Sequence, residues 1–598
     1  MRFRLAWIAA LLLALPLLAD TYPRPVGFVV RHYGFTVRLS DANNAITVQE
    51  TVRGRFTATG ITQVALDLCQ LRTADVPADF GNPCLPRVPY GLRHAANAMA
   101  SSAGKGMVVT AASEDGKAIP FQQKDDRLLL TVAPSTAAGE RFVLALAYHG
   151  IPANGLLIGN NRYGDREFFT NEWPDLARNW LAVVDHPSMK ATKRIAVIAP
   201  RHYQVISNGT MTEEIDLPND LRKTVWTEHV PICTWQFALG VGPMAVSYFG
   251  QFHGIPLSAW VFPQEQKVGF ADFKRWTEPI LEFYIDHIGP FSYEKLAQVE
   301  AYGTGGGMEL ASDIYYGYPP SGPGRQLLAH EMAHQWFGDS VTENDWDNVW
   351  LSEGFATYFA LLYQEHADGH TAFLHGVEAS AAQARRYAEA HPDSTLVHHD
   401  LSNISQVIAN TPQIYQGGAM TLQMLRGVLG TPTFWRGIRL YYKRYRNGNA
   451  TDGDLQRAMQ DACYRAGPAC PKQGLDLSWF FPEWLYRGGI MQVQGAWRYD
   501  AAAKQLDVTL HQTPNRGFYY TMPFQIGVTM PPAPPPAARA RGGRRRGFRP
   551  PAPPPAPVIW IHGRASELKI PLAKAPAAVT LDPDHWVPLA RIRFGEAH

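Results

Sequence analysis

His330-Glu331-Met332-Ala333-His334, followed after eighteen intervening residues by Glu353, is the stretch that decides how this chain is read. Two histidines four apart on a helix lie on one face, one turn from each other. Both imidazoles can therefore reach one metal ion. Glu353 as a third ligand leaves the fourth position of a tetrahedral zinc open to water, the arrangement of a catalytic site. Glu331 sits beside a ligand without being one, where it can take a proton from that water.

The flanking residues predict the helices this reading needs. Ser321 stands two before Pro323, which suits an N-cap with proline in the first turn. Gln326 to Phe337 contains no Gly or Pro, and Gly338 closes the helix. A second helical run extends from Trp350 to Tyr363; Gly354 weakens it, but the apolar spacing persists. Two antiparallel helices joined by a short loop would bring Glu353 back to the histidines. HExxH alone arises by chance in long chains; the glutamate inside a second helical run makes it specific. His366 and His370 are also four apart, but Asp368-Gly369 interrupts them. They read as surface residues near a helix end.

A chain of 598 residues exceeds one core, so several domains are expected. Hydrophobic content of 46% and charged content of 18% are those of a folded globular protein. The net charge of +2 is no argument for nucleic acid. Met1-Arg2-Phe3-Arg4, then apolar Leu5 to Ala19, reads as a signal peptide cleaved before Asp20. An uncleaved anchor is the alternative, but the run is short for a span. The expectation is an exported protein, periplasmic or secreted, with no stable membrane span after cleavage. Five cysteines suit export. Cys69 with Cys84 and Cys463 with Cys470 are reasonable local bridges, although sequence alone does not settle the pairing. Cys233 reads as a buried thiol.

From 20 to 250 the pattern is of strands: Phe35 to Leu39, Leu128 to Val132, Phe142 to Leu146, Arg194 to Ile198 and Tyr203 to Ile206 before an Asn208-Gly209 turn. This predicts a β-saddle or sandwich. From 251 to 489 helical spacing dominates, with a strand at Leu296 to Glu300 and a glycine-rich run from Gly303 to Gly307 before the HExxH helix. From 490 to 598 strands return as a small β-sandwich. Its Pro/Arg-rich insert, 531 to 557, reads as a solvated, disordered loop, with a polyanion or membrane-surface contact as the alternative. The fold class is multidomain α+β.

Taken together the residues resemble the M1 aminopeptidases, gluzincins with a thermolysin-like catalytic domain. Gly306-Gly307-Met308-Glu309 resembles the family's exopeptidase motif. His330 to His334, Trp350 to Tyr358 and Tyr415-Gln416-Gly417-Gly418-Ala419 resemble its zinc and tyrosine segments. The resemblance implies one Zn2+ held by His330, His334 and Glu353, with Glu331 as general base and Tyr415 stabilising the oxyanion. It implies peptide substrates lined by Gly305, Gly306, Gly307 and Met308, with Glu309 accepting the free α-ammonium. The family's large C-terminal helical domain is not expected, since strands run to the last residues. Leu310 stands where the family usually has Asn, and Gly417 where it usually has a basic residue. Alignment from Asp185-His186-Pro187 puts Trp173 where the N-terminal domain usually contributes to the amine site, with Asn171 and Glu172 just before it; either Glu172 reaches the amine through a shifted backbone or Trp173 walls the pocket. An endopeptidase or epoxide hydrolase on the same scaffold is the alternative, and a catalytically idle peptide-binding protein is a third reading.

Overall fold

The computed structural model describes residues 24–76, 82–86, 101–135, 137–301, 306–317, 324–398, 412–532 and 556–597. The expected leader, the Ser321–Pro323 cap, Gly305 and most of the Pro/Arg-rich insert lie outside the described residues.

The N-terminal region is built on an eight-stranded sheet. Strand Ile46–Phe56 shows why: every second residue, from Ile46 through Val48 and Val52 to Phe56, is buried. A period of two puts those side chains on one face against a core and leaves Thr47, Gln49, Arg53 and Arg55 outward. Phe28–Arg38 lies beside it, antiparallel to Ile46–Phe56 and parallel to Ala191–Pro200. Smaller sheets of three and four strands complete the region. The Asn208-Gly209 turn is not a hairpin tip. The strand before it, Gln204–Ser207, and the one after it, Thr210–Leu217, belong to different sheets. At that corner Asn208 Nδ2 donates to the Ala311 carbonyl (2.6 Å) and the Gly209 N–H to Ser312 Oγ (3.0 Å). Both bonds tie the N-terminal sheets to the segment that carries Glu309.

A five-stranded sheet then runs Ala245–Phe252, Ile255–Val261, Leu296–Glu300, Asp313–Tyr316, Gly307–Met308. Its middle strands are parallel and Leu296–Glu300 is wholly buried, as expected where both faces are covered. Helix α1 (Gln266–His287) makes the crossover between two parallel neighbours. Gly307–Met308 is the sheet's edge strand. Helices α2 (Gly324–His334), α3 (Trp350–Asp368) and α4 (His370–Ala390) follow. α2 and α3 are joined by strand Val341–Glu343 and a turn at Trp346–Asn348. Gly369, at φ +87°, separates α3 from α4, so His366 and His370 stand on different helices, both exposed.

The last strands form a four-stranded and a three-stranded sheet. Leu506, Val508 and Leu510 from one and Met522, Phe524 and Ile526 from the other join a common apolar core. Cys69–Cys84 and Cys463–Cys470 are disulfides, and Cys233 is free and buried. Among the described residues no helix is long and apolar enough to cross a membrane.

Candidate active site

α2 and α3 bring three ligand atoms to one point. His330 Nε2 lies 3.1 Å from His334 Nε2, and the two nitrogens are 3.4 and 3.3 Å from Glu353 Oε2. A tetrahedral ion with bonds of about 2.0–2.1 Å needs its ligand atoms ~3.3 Å apart. Glu353 Oε2 is buried and has no hydrogen-bond partner. An acceptor so placed is costly unless something cationic fills the point it faces. Glu353 also sits in the first turn of α3, where the helix dipole favours a carboxylate. Burial pushes its pKa up, but His334 and His330 outweigh that and leave it at about 2.

His334 is oriented from behind. Its Nδ1 lies 3.1 Å from the Phe337 carbonyl oxygen and 3.1 Å from Ser352 Oγ. A proton on Nδ1 donated to that carbonyl leaves the Nε2 lone pair facing the centre. Gly338 makes room for this contact. α2 stops at His334 rather than at Phe337 as expected, so Gly338, at φ +113°, turns the chain four residues past the helix end, and a Cβ there would stand 2.3 Å from Ser352 Oγ and 2.9 Å from His334 Nδ1. Glycine is required both for the backbone and for the space.

A second set of acids converges on the same histidine. One ligand atom each from Glu309, Glu331 and His334 lie within 4.8 Å of one another. Burial, then the Glu309 charge, holds the Glu331 carboxyl well above the usual range. Burial also raises Glu309, against the pull of His334. Glu309, Glu331 and Glu353 together exceed the local positive charge. A divalent cation and an ammonium group would restore the balance. Gly307 packs against Glu331: a Cβ there would stand 2.2 Å from its Oε1.

Tyr415 comes from a π-helical turn, Gln413–Gly417, whose following helix Gly418–Leu429 packs on α3. Its ring is parallel to that of His330, with centroids 5.8 Å apart. Burial first, then the Glu353 carboxylate, raises its pKa well above 10. The approach depends on two glycines. A Cβ on Gly354 would lie 2.8 Å from Gly418 Cα, and one on Gly418 would lie 2.8 Å from Gly354 Cα.

Two family models match the chain, the Peptidase M1 N-terminal domain over residues 30–235 and the Peptidase family M1 domain over residues 324–484. The chain belongs to peptidase family M1. It is 28% identical over 313 residues to glutamyl aminopeptidase of Rattus norvegicus, covering 49% of this chain and 32% of that protein. It is 26% identical over 409 residues to probable aminopeptidase 1 of Sulfurisphaera tokodaii, covering 64% and 49%. It is 29% identical over 344 residues to aminopeptidase N of Streptomyces lividans, covering 53% and 38%. The matched regions span about a third to a half of these M1 relatives' lengths. The fold is that of an M1 zinc metallopeptidase from Deinococcus radiodurans, with a TM-score of 0.57 and 22% identity over 73% of this chain and 90% of that one.

Within this M1 chain, not every residue singled out from sequence meets the metal point. Gly307 packs on Glu331 and a Cβ on Gly306 would meet open space, whereas the Met308 side chain is buried in the core under the sheet edge. Glu172 is fully buried, and its Oε1 accepts the Trp180 indole N–H (2.7 Å). The charges around it are Asp185 and Lys193 rather than Glu309. A buried indole N–H needs an acceptor, and Glu172 serves that need inside the N-terminal region. Trp173 packs edge-on between Trp235 (5.0 Å) and Trp346 (5.2 Å), and so reaches the turn before α3.

The sequence reading missed a polar relay behind the site. Gln335 Nε2 donates to Asp339 Oδ2 (2.6 Å) and to the Glu309 carbonyl (3.3 Å), while its Oε1 accepts the Ser312 N–H (2.8 Å). Gln236 Nε2 reaches Asp339 Oδ1 (3.1 Å) from the N-terminal side, and Lys190 Nζ donates to the Asp339 carbonyl (2.8 Å). The position of Gln335 directly after His334 was the only local signal.

Proposed function

We propose that this M1 chain is an exported zinc aminopeptidase, with one zinc per chain, that removes residues from the N-termini of peptides. The observation that carries the reading is the convergence of His330, His334 and Glu353 at tetrahedral spacing with Glu331 and Glu309 alongside. The aminopeptidase names of its relatives support it. The two disulfides accord with an oxidising compartment.

His330, His334 and Glu353 would hold the ion. When bound, zinc polarises the scissile carbonyl and lowers the pKa of water from ~15.7 towards ~7. Glu331 takes the proton of the attacking water and passes it to the leaving amine. Tyr415 keeps its proton through neutral pH and donates it in a hydrogen bond to the carbonyl oxygen as charge builds there. Glu309 accepts the α-ammonium in a charge-assisted bond that an internal peptide cannot make. Gly307, without a side chain, lets the peptide backbone come up to Glu331, and the free edge of Gly307–Met308 can pair with an extended chain.

The test is a pair of peptides, one with a free and one with an acetylated N-terminus, assayed with zinc analysis. Cleavage of the free peptide alone, lost in Glu331→Ala at unchanged zinc content, is expected. Equal cleavage of the acetylated peptide would remove Glu309 from its role and favour an endopeptidase.

A further inference from the structure

The outward face of the eight-stranded sheet carries a trough of about 550 Å³ that the peptidase reading does not use. Its floor comes from cross-strand register. Arg194, Gly34, Thr51, Ala145 and Ser113 stand opposite one another on five adjacent strands. Beyond Arg194 every side chain in that row is small, so the floor is recessed. Next to it His32 stands opposite Arg53. The three nitrogenous side chains therefore border one end of the trough across Gly34.

Their partners are unusual. Apart from the backbone ladder, the guanidinium groups of Arg53 and Arg194 form no ion pair or hydrogen bond with any described residue. The one carboxylate among the lining residues, Glu50, turns through the sheet to the core, where Tyr148 Oη donates to it (2.6 Å). His32 is folded over the floor: its Nδ1 is 2.8 Å from Thr192 Oγ1, and its Nε2 lies 3.7 Å from where a Cβ on Gly34 would sit. Burial, followed by the charges of Arg53 and Arg194, lowers the His32 pKa, so at neutral pH the ring adds no third cation. Arg53 and Arg194 stand on the two strands that flank Phe28–Arg38, and like charges facing one recess repel unless something neutralises them. The recess is of the size that holds small ligands, and guanidinium forks match carboxylate and phosphate oxygens.

We propose that this trough is a binding site for a compact multivalent anion bearing phosphate or carboxylate groups, gripped by Arg53 and Arg194 over the Gly34–Thr51 floor. A recess of about 550 Å³ with a floor of small side chains suits a free small molecule better than a planar membrane surface. The site is separate from the metal-binding helices, and its occupancy does not depend on the peptidase reading.

The experiment is calorimetric titration of the full protein with inorganic phosphate and with citrate, each at constant ionic strength made up with chloride. Saturable binding by at least one is expected, and which one binds identifies the anion class. The double variant Arg53→Ala/Arg194→Ala should weaken it by about tenfold or more, as loss of charge-assisted bonds predicts. Arg38→Ala, on the same sheet but outside the trough, should bind as wild type. The double variant should keep the wild-type melting temperature without anion, and peptide cleavage in anion-free buffer should be unchanged. No saturable binding by either anion, or equal binding by the double variant, would overturn the proposal.

Discussion

Gly354→Ala tests how Tyr415, the proposed oxyanion donor, is positioned. In a free helix the change would stabilise α3 by about 0.8–1.0 kcal/mol. Here the new methyl would meet Gly418 Cα at 2.8 Å, Gly418 C at 3.0 Å and the Ile414 carbonyl at 3.3 Å. Relaxed carbon contacts are about 3.5–4.0 Å, so the segments must part by ~1 Å. Overpacking of this kind costs about 1–3 kcal/mol, which outweighs the helix gain. The parting falls between α3, which carries Glu353, and the turn that carries Tyr415. A displacement of ~1 Å at a reacting group can lower turnover by about 10²-fold. We therefore expect kcat to fall by one to two orders of magnitude, at about that scale, with zinc content kept and a modestly lower melting temperature. Gly418→Ala, approaching from the other side, should behave alike. The assay is kcat and KM on a free-amine peptide, with zinc measured by mass spectrometry on the same sample. Wild-type kcat in both variants would refute the argument. Zinc lost in step with activity would move the fault from Tyr415 to Glu353.

Tyr415→Phe should lower kcat by about 10²–10³-fold with little change in KM, since the hydroxyl acts where charge develops; steady-state kinetics at several pH values checks this. Ser352→Ala removes a contact 3.1 Å from His334 Nδ1 and should weaken zinc binding by about tenfold or more, read by competition with a chelator. Glu50 gives a pH signature away from the site. Burial pushes its pKa up to about 8, against the hydrogen bonds from Tyr148 and the Ala182 N–H. Its folded pKa lies above the unfolded value, so the stability it contributes is full below pH ~4.5 and is lost as pH rises through ~8. Urea midpoints from pH 5 to 9 should fall for wild type and stay flatter for Glu50→Gln; parallel curves would contradict this.

The candidate metal cluster was legible in the sequence because its spacing is local. One helical turn separates His330 from His334, and the apolar period of the next run places Glu353 at a helix start whatever the remainder of the chain does. The strands were legible as short β-prone runs, although their lengths were not: Phe28–Arg38 begins seven residues before the Phe35–Leu39 run because its pairing with Ile46–Phe56 starts at Phe28 and that with Ala191–Pro200 at His32. Gly354 reads in sequence as a weakness of a helix. Only the tertiary structure makes it the surface on which Gly418 rests.

Glu172 marks the same limit from the other side. Its position along the chain suggested the amine site, and only the tertiary structure shows that a buried indole eight residues on takes one of its two carboxylate oxygens. The cationic trough has no sequence signature, since Gly34, Thr51 and Arg194 become neighbours only through strand register. Helical periodicity is set by bonds between residues a few positions apart, so a sequence can display it. Sheet register and helix approach are set by which distant surfaces exclude water from each other, and that is decided only when the whole chain packs.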